Sequence, residues 1–235
     1  MKLGIMQPYL FPYIGYFQLI NAVDTFVLFD DVQYIKRGWI NRNRILVNGR
    51  EHLFTFSIKK ASQHNKINQT FFSERFPHEK DDFLKTLHAN YKKTENYNVV
   101  YSIVQEALNI NVDNNVSEAI RKSILLINNY LDIQTEIIMS SSLDKKESVA
   151  GQEHILEICN RLGASKYVNA IGGRDLYSSH SFREQNIDLM FLEPTRMEYK
   201  QFNNNFIPNL SIIDVLMLNN KNKIKQLLDC YHLIK

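Results

Sequence analysis

The residues best suited to chemistry lie in three stretches. Asp30 and Asp31 stand side by side directly after an apolar run, 25–29, with Gln33 close behind. Neighbouring carboxylates at the end of a strand suit a general base, an amine or hydroxyl ligand, or a magnesium ligand. The structural alternative is that one caps the next element while the other neutralises an arginine. From Val32 through Arg50 the chain then carries no acid, but it carries Lys36, Arg37, Arg42, Arg44 and Arg50. Planar guanidinium forks match phosphate and carboxylate bidentately, so this stretch suits an anionic small ligand. Salt bridges back to Asp30 and Asp31 explain the same charges equally well. Trp39, the single tryptophan, is either a stacking platform or a core anchor. Asn41 and Asn43 alternate with Arg42 and Arg44, a run of donors apt for polar oxygens.

Two further stretches are weaker candidates. Gly172 and Gly173 fall between an expected strand and an expected helix, where glycines let backbone N–H groups approach an anion; a tight turn without a ligand needs the same pair. Tyr199 and Gln201 precede Ser211 and Asp214, whose spacing is that of a helix N-terminal cap. The Walker pattern, the dinucleotide-binding glycine fingerprint and the Gly-x-Ser-x-Gly elbow are absent from the sequence. The 7 histidines never pair with Cys, Asp or Glu at a familiar zinc spacing, so no metal site is predicted, and His154 and His180 read as isolated. Cys159 and Cys230, the only cysteines, sit among Ile and Leu and read as buried hydrophobes of a reducing compartment.

Composition sets the frame for these residues. With 235 residues, 44% hydrophobic and 23% charged, the chain has the balance of an ordinary globular protein rather than a disordered or fibrous one. A formal charge of +3 is too small to demand nucleic acid. No apolar run reaches the roughly 18 residues of a membrane helix. Gln7, Pro8 and Pro12 interrupt the apolar start, and no small-residue cleavage site follows, so a cytoplasmic protein is expected.

The elements that must hold the candidates follow from periodicity. A strand at 2–6, a Pro-rich loop, a helix at 13–22 and a strand at 25–29 form a βαβ unit, whose functional loops follow the strands. That places Gln7 and Tyr9 after the first strand and Asp30 to Gln33 after the second. Asn48-Gly49 between 44–47 and 52–58 signals a hairpin. Helices are expected over 79–92, 99–108 and 116–131. A strand at 135–139, a helix at 149–162, a strand at 166–169, a helix at 175–184 and a strand at 187–192 give a second βαβ pattern. Helices from 212 and over 221–233 close the chain. The expectation is an α/β fold with a Rossmann-like, mostly parallel sheet in a single domain, 1–235: a first βαβ plus hairpin in 1–60, a helical insertion in 61–134, and the second βαβ with C-terminal helices in 135–235.

Two blocks are long and unusual: Met6-Gln7-Pro8-Tyr9-Leu10-Phe11-Pro12-Tyr13-Ile14-Gly15-Tyr16-Phe17, and Asp30-Asp31-Val32-Gln33-Tyr34 followed by Lys36-Arg37-Gly38-Trp39-Ile40-Asn41-Arg42-Asn43-Arg44-Ile45. With Leu162-Gly163-Ala164, Tyr167, Gly172-Gly173, Leu176-Tyr177, Tyr199, Gln201 and Leu210-Ser211-Ile212-Ile213-Asp214, they resemble the WbqC-like family over most of the chain. The resemblance implies a role in O-antigen or other surface-polysaccharide biosynthesis, attaching a glycyl or other acyl group to an amino sugar. On that reading Asp30 or Asp31 orients the amine, and Lys36, Arg37, Arg42 and Arg44 hold a diphosphate or the donor's phosphate. Trp39 and Tyr9 then stack on base or sugar, Gln7, Gln33 and Asn41 read hydroxyls, Gly172 and Gly173 approach the ligand, and Tyr199 and Gln201 close the pocket. The partners implied are a nucleotide-linked amino sugar and an acyl donor, either a thioester or an acid activated with ATP and magnesium. The N-terminal unit also resembles nucleotidylyltransferases, but their His-x-x-His motif is replaced here by Pro12-Tyr13-Ile14-Gly15-Tyr16. An ATP-dependent ligase or nucleotidylyltransferase-like enzyme and a non-enzymatic scaffold that binds the nucleotide sugar are the alternatives.

Overall fold

The inner strands of a six-stranded set carry consecutive buried residues, which is the pattern of a parallel sheet between helical layers. In the computed structural model the six form one sheet in the order β5-β2-β1-β6-β7-β8. The structure describes residues 1–60, 65–111, 113, 115–144, 150–195, 197–202 and 205–235. The strands are β1 (Lys2–Met6), β2 (Thr25–Leu28), β5 (Glu136–Met139), β6 (Lys166–Ala170), β7 (Asp188–Pro194) and β8 (Tyr231–Ile234). All pairings from β5 to β7 are parallel, and β8 runs antiparallel to β7. The expected α/β fold with a mostly parallel sheet is therefore the one found.

Alternation along β1 and β2 divides the core into two layers. Leu3, Ile5 and Val27 face one way, against Ile155, Ile158 and Cys159 of α5 (Gly151–Arg161) and Phe182 of α6 (Ser179–Glu184). Phe26 and Leu28 face the other, with α1 (Ile14–Asn21), α7 (Ile212–Leu218) and α8 (Lys221–Leu228). Between β2 and β5 the chain leaves the sheet. It forms the hairpin β3 (Arg42–Val47) and β4 (Arg50–Thr55), turning through Asn48 and Gly49 at φ 51° and 75°, the positive values of a type I′ turn. Then come α2 (Phe76–Tyr91), α3 (Tyr97–Ala107) and α4 (Val116–Leu131). Phe54 and Phe56 on the buried face of β4 pack on Phe83 of α2, with ring centroids 4.3 and 5.5 Å apart, and tie the hairpin to these helices.

Two expectations need correction. The helix predicted over 175–184 is a 3-10 turn, Ile171–Leu176, followed by the shorter α6. The helix predicted over 221–233 ends at Leu228. The chain turns at Asp229 and Cys230, and Tyr231–Ile234 pairs with β7. Ile224, Leu227 and Leu228 carry a true helical stripe, and Tyr231 extended it by coincidence of spacing. Cys230, expected in a helical core, therefore lies half-buried in the turn, whereas Cys159 is buried. Val149 and the Asn-rich loop at 203–205 lie wholly or partly outside the described residues.

Candidate functional site

The chain runs β1 to β2 in one direction from the centre of the sheet and β5 to β6 back across it, so the order reverses between β1 and β6. In open α/β sheets ligands bind outside the strand C-termini at such a switch point. Here a cleft of about 500 Å³ opens there. Ile5, Phe29 and Ile155 give it an apolar floor, while Gln7, Tyr9, Gln152, Asn169, Gly172, Gly173 and Tyr177 supply its polar rim. Asn169 turns its amide Oδ1 onto the N–H of Ala170 at 2.8 Å. Its Nδ2 lies 2.7 Å from where a Cβ on Gly173 would stand, so a larger residue at 173 would have to displace the Asn169 amide. α5 begins at the rim, and its N-cap, Ala150, has no side chain to bond the first-turn N–H groups. Gln152 in that turn accepts the Ser178 N–H at 2.6 Å and ties α5 to the segment after the 3-10 turn.

The loop between β1 and α1 walls the cleft. Phe11, fully buried, is held at φ 42°, a conformation rare for a bulky residue. Its carbonyl oxygen accepts the Asn43 Nδ2–H at 2.7 Å and the Ser211 hydroxyl at 2.8 Å. The Ser211 N–H donates to Arg44 O, and the Ile212 N–H to Pro12 O, both at 2.8 Å. β3 and the start of α7 thus clamp the loop, which sets Tyr9 and Tyr13 between the cleft and a recess of about 330 Å³. Burial raises both phenols above their ordinary pKa, with Tyr9 adding to the effect on Tyr13, so both stay protonated hydrogen-bonding groups at neutral pH.

Beside the cleft, β2 and β5 end together. Asp30, fully buried, accepts from the Ser141 N–H (2.9 Å), the Ser141 hydroxyl (2.7 Å), the Ser140 hydroxyl (3.2 Å) and the Ser117 hydroxyl (3.5 Å). Its neighbour Asp31 accepts from Ser140 and lies 3.9 Å from His154 Nε2, in the second turn of α5. The His154 ring packs on Phe29, centroids 4.8 Å apart, and Phe29 lines the cleft. A carboxylate and an imidazole are the side chains most used to accept protons, and here they lie behind the Phe29 wall of the cleft.

The model of the WbqC-like protein family matches residues 7–226. The chain belongs to the WbqC-like protein family. It is also similar to the uncharacterized protein Rv1507c of Mycobacterium tuberculosis (strain ATCC 25618 / H37Rv), 28% identical over 221 residues, 92% of each chain. No solved structure matches it.

Within this WbqC-like chain the predicted site residues separate into groups. Gln7, Tyr9, Gly172 and Gly173 line the cleft; Asp31 does not, and is linked to it through His154, which packs on the lining residue Phe29. Trp39 and Arg44 line the adjoining recess, with the Arg44 and Arg42 guanidiniums 5.2 and 5.6 Å from the Trp39 ring centre. Arg42 Nε–H donates to Gly38 O at 2.9 Å, and Arg44 pairs with Glu51 at 2.7 Å. Neither guanidinium is paired with Asp30 or Asp31; serines hold Asp30 instead. Lys36, Arg37 and Gln33 are exposed, line neither cleft nor recess, and sit on a segment bridged to Lys66.

Four expectations are corrected by the bonds the side chains make. Asn41, expected to read hydroxyls, is buried, accepts the Tyr34 hydroxyl at 2.7 Å and donates to Phe56 O at 2.7 Å. Gln201 is also buried and braces its own loop, donating to Ile207 O (2.9 Å) and accepting the Ile207 N–H (2.7 Å). Tyr199 forms a pocket wall, but its hydroxyl donates to Asp214 at 2.7 Å. Ser211 caps α7 as predicted, accepting the Ile213 N–H at 3.3 Å. Asp214 instead is buried and accepts from Tyr91 (2.6 Å), Tyr199 and Gln201 (3.4 Å).

His154, Asn169, Gln152 and Ser140 were missed. A signal for Ser140 existed, since 140–142 follows a strand. His154 carried none: its partner Asp31 comes from β2, and only the sheet order reveals that β5 lies beside it. Among the described residues no group of three His, Cys, Asp or Glu is placed to hold a metal, and no helix is long and apolar enough to cross a membrane.

Proposed function

We propose that the protein is an N-acyltransferase that attaches a glycyl, aminoacyl or related acyl group to the amine of a nucleotide-linked amino sugar during surface-polysaccharide assembly. The observation that carries this reading is the Asp31–His154 pair behind Phe29, a lining residue of the switch-point cleft. The cleft supports a nucleotide sugar: its apolar floor takes the planar or ring part, and the Gly172-Gly173 turn and the uncapped start of α5 offer N–H groups to the phosphates. Among the described residues no lysine or arginine lines this cleft; what these residues offer a diphosphate is backbone donors, and the Lys36 and Arg37 charges act only at a distance.

The sugar amine, directed toward Asp31, attacks the acyl carbonyl carbon. The N–C bond forms, the donor's leaving group departs with its electron pair, and the amine proton passes to the Asp31–His154 pair. Gln7 and the Tyr9 and Tyr13 hydroxyls are the donors nearest the transient oxyanion, and preorganised donors of this kind are worth several kcal/mol.

The test is incubation of the protein with nucleotide-linked amino sugars and an aminoacyl or acyl thioester, read by mass spectrometry for the amide. Product without ATP supports direct transfer. Product only with ATP and magnesium supports the ligase alternative. A nucleotide sugar that raises the melting temperature yet is never acylated supports the scaffold. No shift with any nucleotide sugar overturns the assignment of the cleft.

A further inference from the structure

On the side of Tyr13 away from the switch point lies a pocket of about 440 Å³ that the transfer reading does not use. Ile14, Met197, Phe206, Leu210, Val215 and Leu227 make it apolar. Tyr13 and Asn209 belong to its wall and also to the wall of the Trp39 recess, so the two concavities adjoin. Their chemistry is opposite. The recess is lined by Arg44 and the half-exposed Trp39, whose indole also carries the Arg42 guanidinium, against one carboxylate, Glu51. Among the described residues no lysine or arginine lines the apolar pocket.

We propose that recess and pocket together bind one amphipathic anion: a phosphate or carboxylate head beside Trp39 and Arg44, and a single apolar chain running past Tyr13 into the pocket. Charge complementarity fixes which end goes where. Arg44 offers its guanidinium to the head while its contact with Trp39 holds it in place. The apolar lining removes the chain from water, a gain proportional to the area covered. This ligand site stands whether or not the cleft carries out acyl transfer.

Calorimetric titration of the full chain with monomeric octyl phosphate, inorganic phosphate and 1-octanol tests it. Octyl phosphate is expected to bind at least tenfold more tightly than either fragment. Arg44→Gln should weaken octyl phosphate about tenfold and leave octanol unchanged, whereas Pro208→Trp, at the exposed pocket rim, should weaken both octyl compounds and leave phosphate unchanged. Octyl phosphate binding no more tightly than phosphate overturns the proposal, as does affinity that neither variant alters. If a variant fails to fold, the three-ligand comparison on the unaltered protein decides. Phosphatidic-acid vesicles separate the sources of the head group: flotation with vesicles and no binding of octyl phosphate would make the surface a membrane contact and overturn the proposal too.

Discussion

Asn43 donates through Nδ2 to the carbonyl oxygen of Phe11 at 2.7 Å and to that of Leu10 at 3.1 Å, and so holds Phe11 in a left-handed conformation. The wall of the cleft depends on this bond. Asn43→Ala leaves the Leu10 carbonyl without the donor it now has and deprives Phe11 of one of two, at about 1–3 kcal/mol for each buried group left unpaired. Urea unfolding should show a loss of about 2–4 kcal/mol, together with weaker binding of any cleft ligand. An unchanged midpoint would mean that the loop keeps its shape without Asn43.

The adjacent acids should respond differently to the same change. Asp30→Asn puts an NH2 group where serine donors converge, so it should lower stability by about 2 kcal/mol or more. Asp31→Asn should leave the melting temperature nearly unchanged and reduce amide formation at least a hundredfold, the usual scale of a lost general base. A comparable loss of stability in both variants would make Asp31 structural.

Stability should depend on pH through buried acids whose protonated forms are favoured. Desolvation holds the Asp214 carboxyl above its ordinary range despite the bonds from Tyr91, Tyr199 and Gln201. Between its unfolded value, about 3.9, and its folded one, the native state binds more protons than the unfolded chain. Stability therefore falls as pH rises through that window and levels off above it. Asp214→Asn should lack this fall in a series of melting curves. The same sign applies to Tyr16, Tyr91, Tyr167 and Tyr199, all pushed upward chiefly by burial. Above pH 10 each withdraws up to about 1.4 kcal/mol per pH unit, so alkaline unfolding should be steep.

Thiol labelling separates the two cysteines. Burial pushes the Cys159 thiol up to about 12, which removes its reactive thiolate at neutral pH. Cys230 is only half-buried, in the turn before β8. A disulfide reagent should label one thiol quickly in the native protein and two in denaturant. Fast labelling of both would contradict the packing of α5 on the sheet.

Much of this was legible in the sequence, and the limits are physical. Strand runs, the Asn48-Gly49 turn and the stripe of α4, whose bounds Val116–Leu131 match the expected 116–131, are local patterns that survive into the fold. The Ser211 cap is local as well. Asn41, Gln201 and Asp214 misled because a buried amide or carboxylate chooses partners by spatial neighbourhood, and Tyr91 of α2 reaches Asp214 from 123 residues away. His154 was passed over for the same reason in reverse: nothing near it in sequence suggests Asp31. The basic stretch split because Arg42 and Arg44 lie two apart on one strand and share Trp39, whereas Lys36 and Arg37 precede the strand.

The placement of β1 at the middle of the sheet has a consequence for how the protein is made. Translation delivers β1 early, yet one of its two flanking strands, β6, and the α7 residues that clamp its loop emerge much later. A nascent chain that stops short of β6 has β1 and α1 but not the strand that pairs with the far edge of β1, so a ribosome-stalled fragment of that length would carry unpaired backbone there and depend on chaperones until the rest arrives.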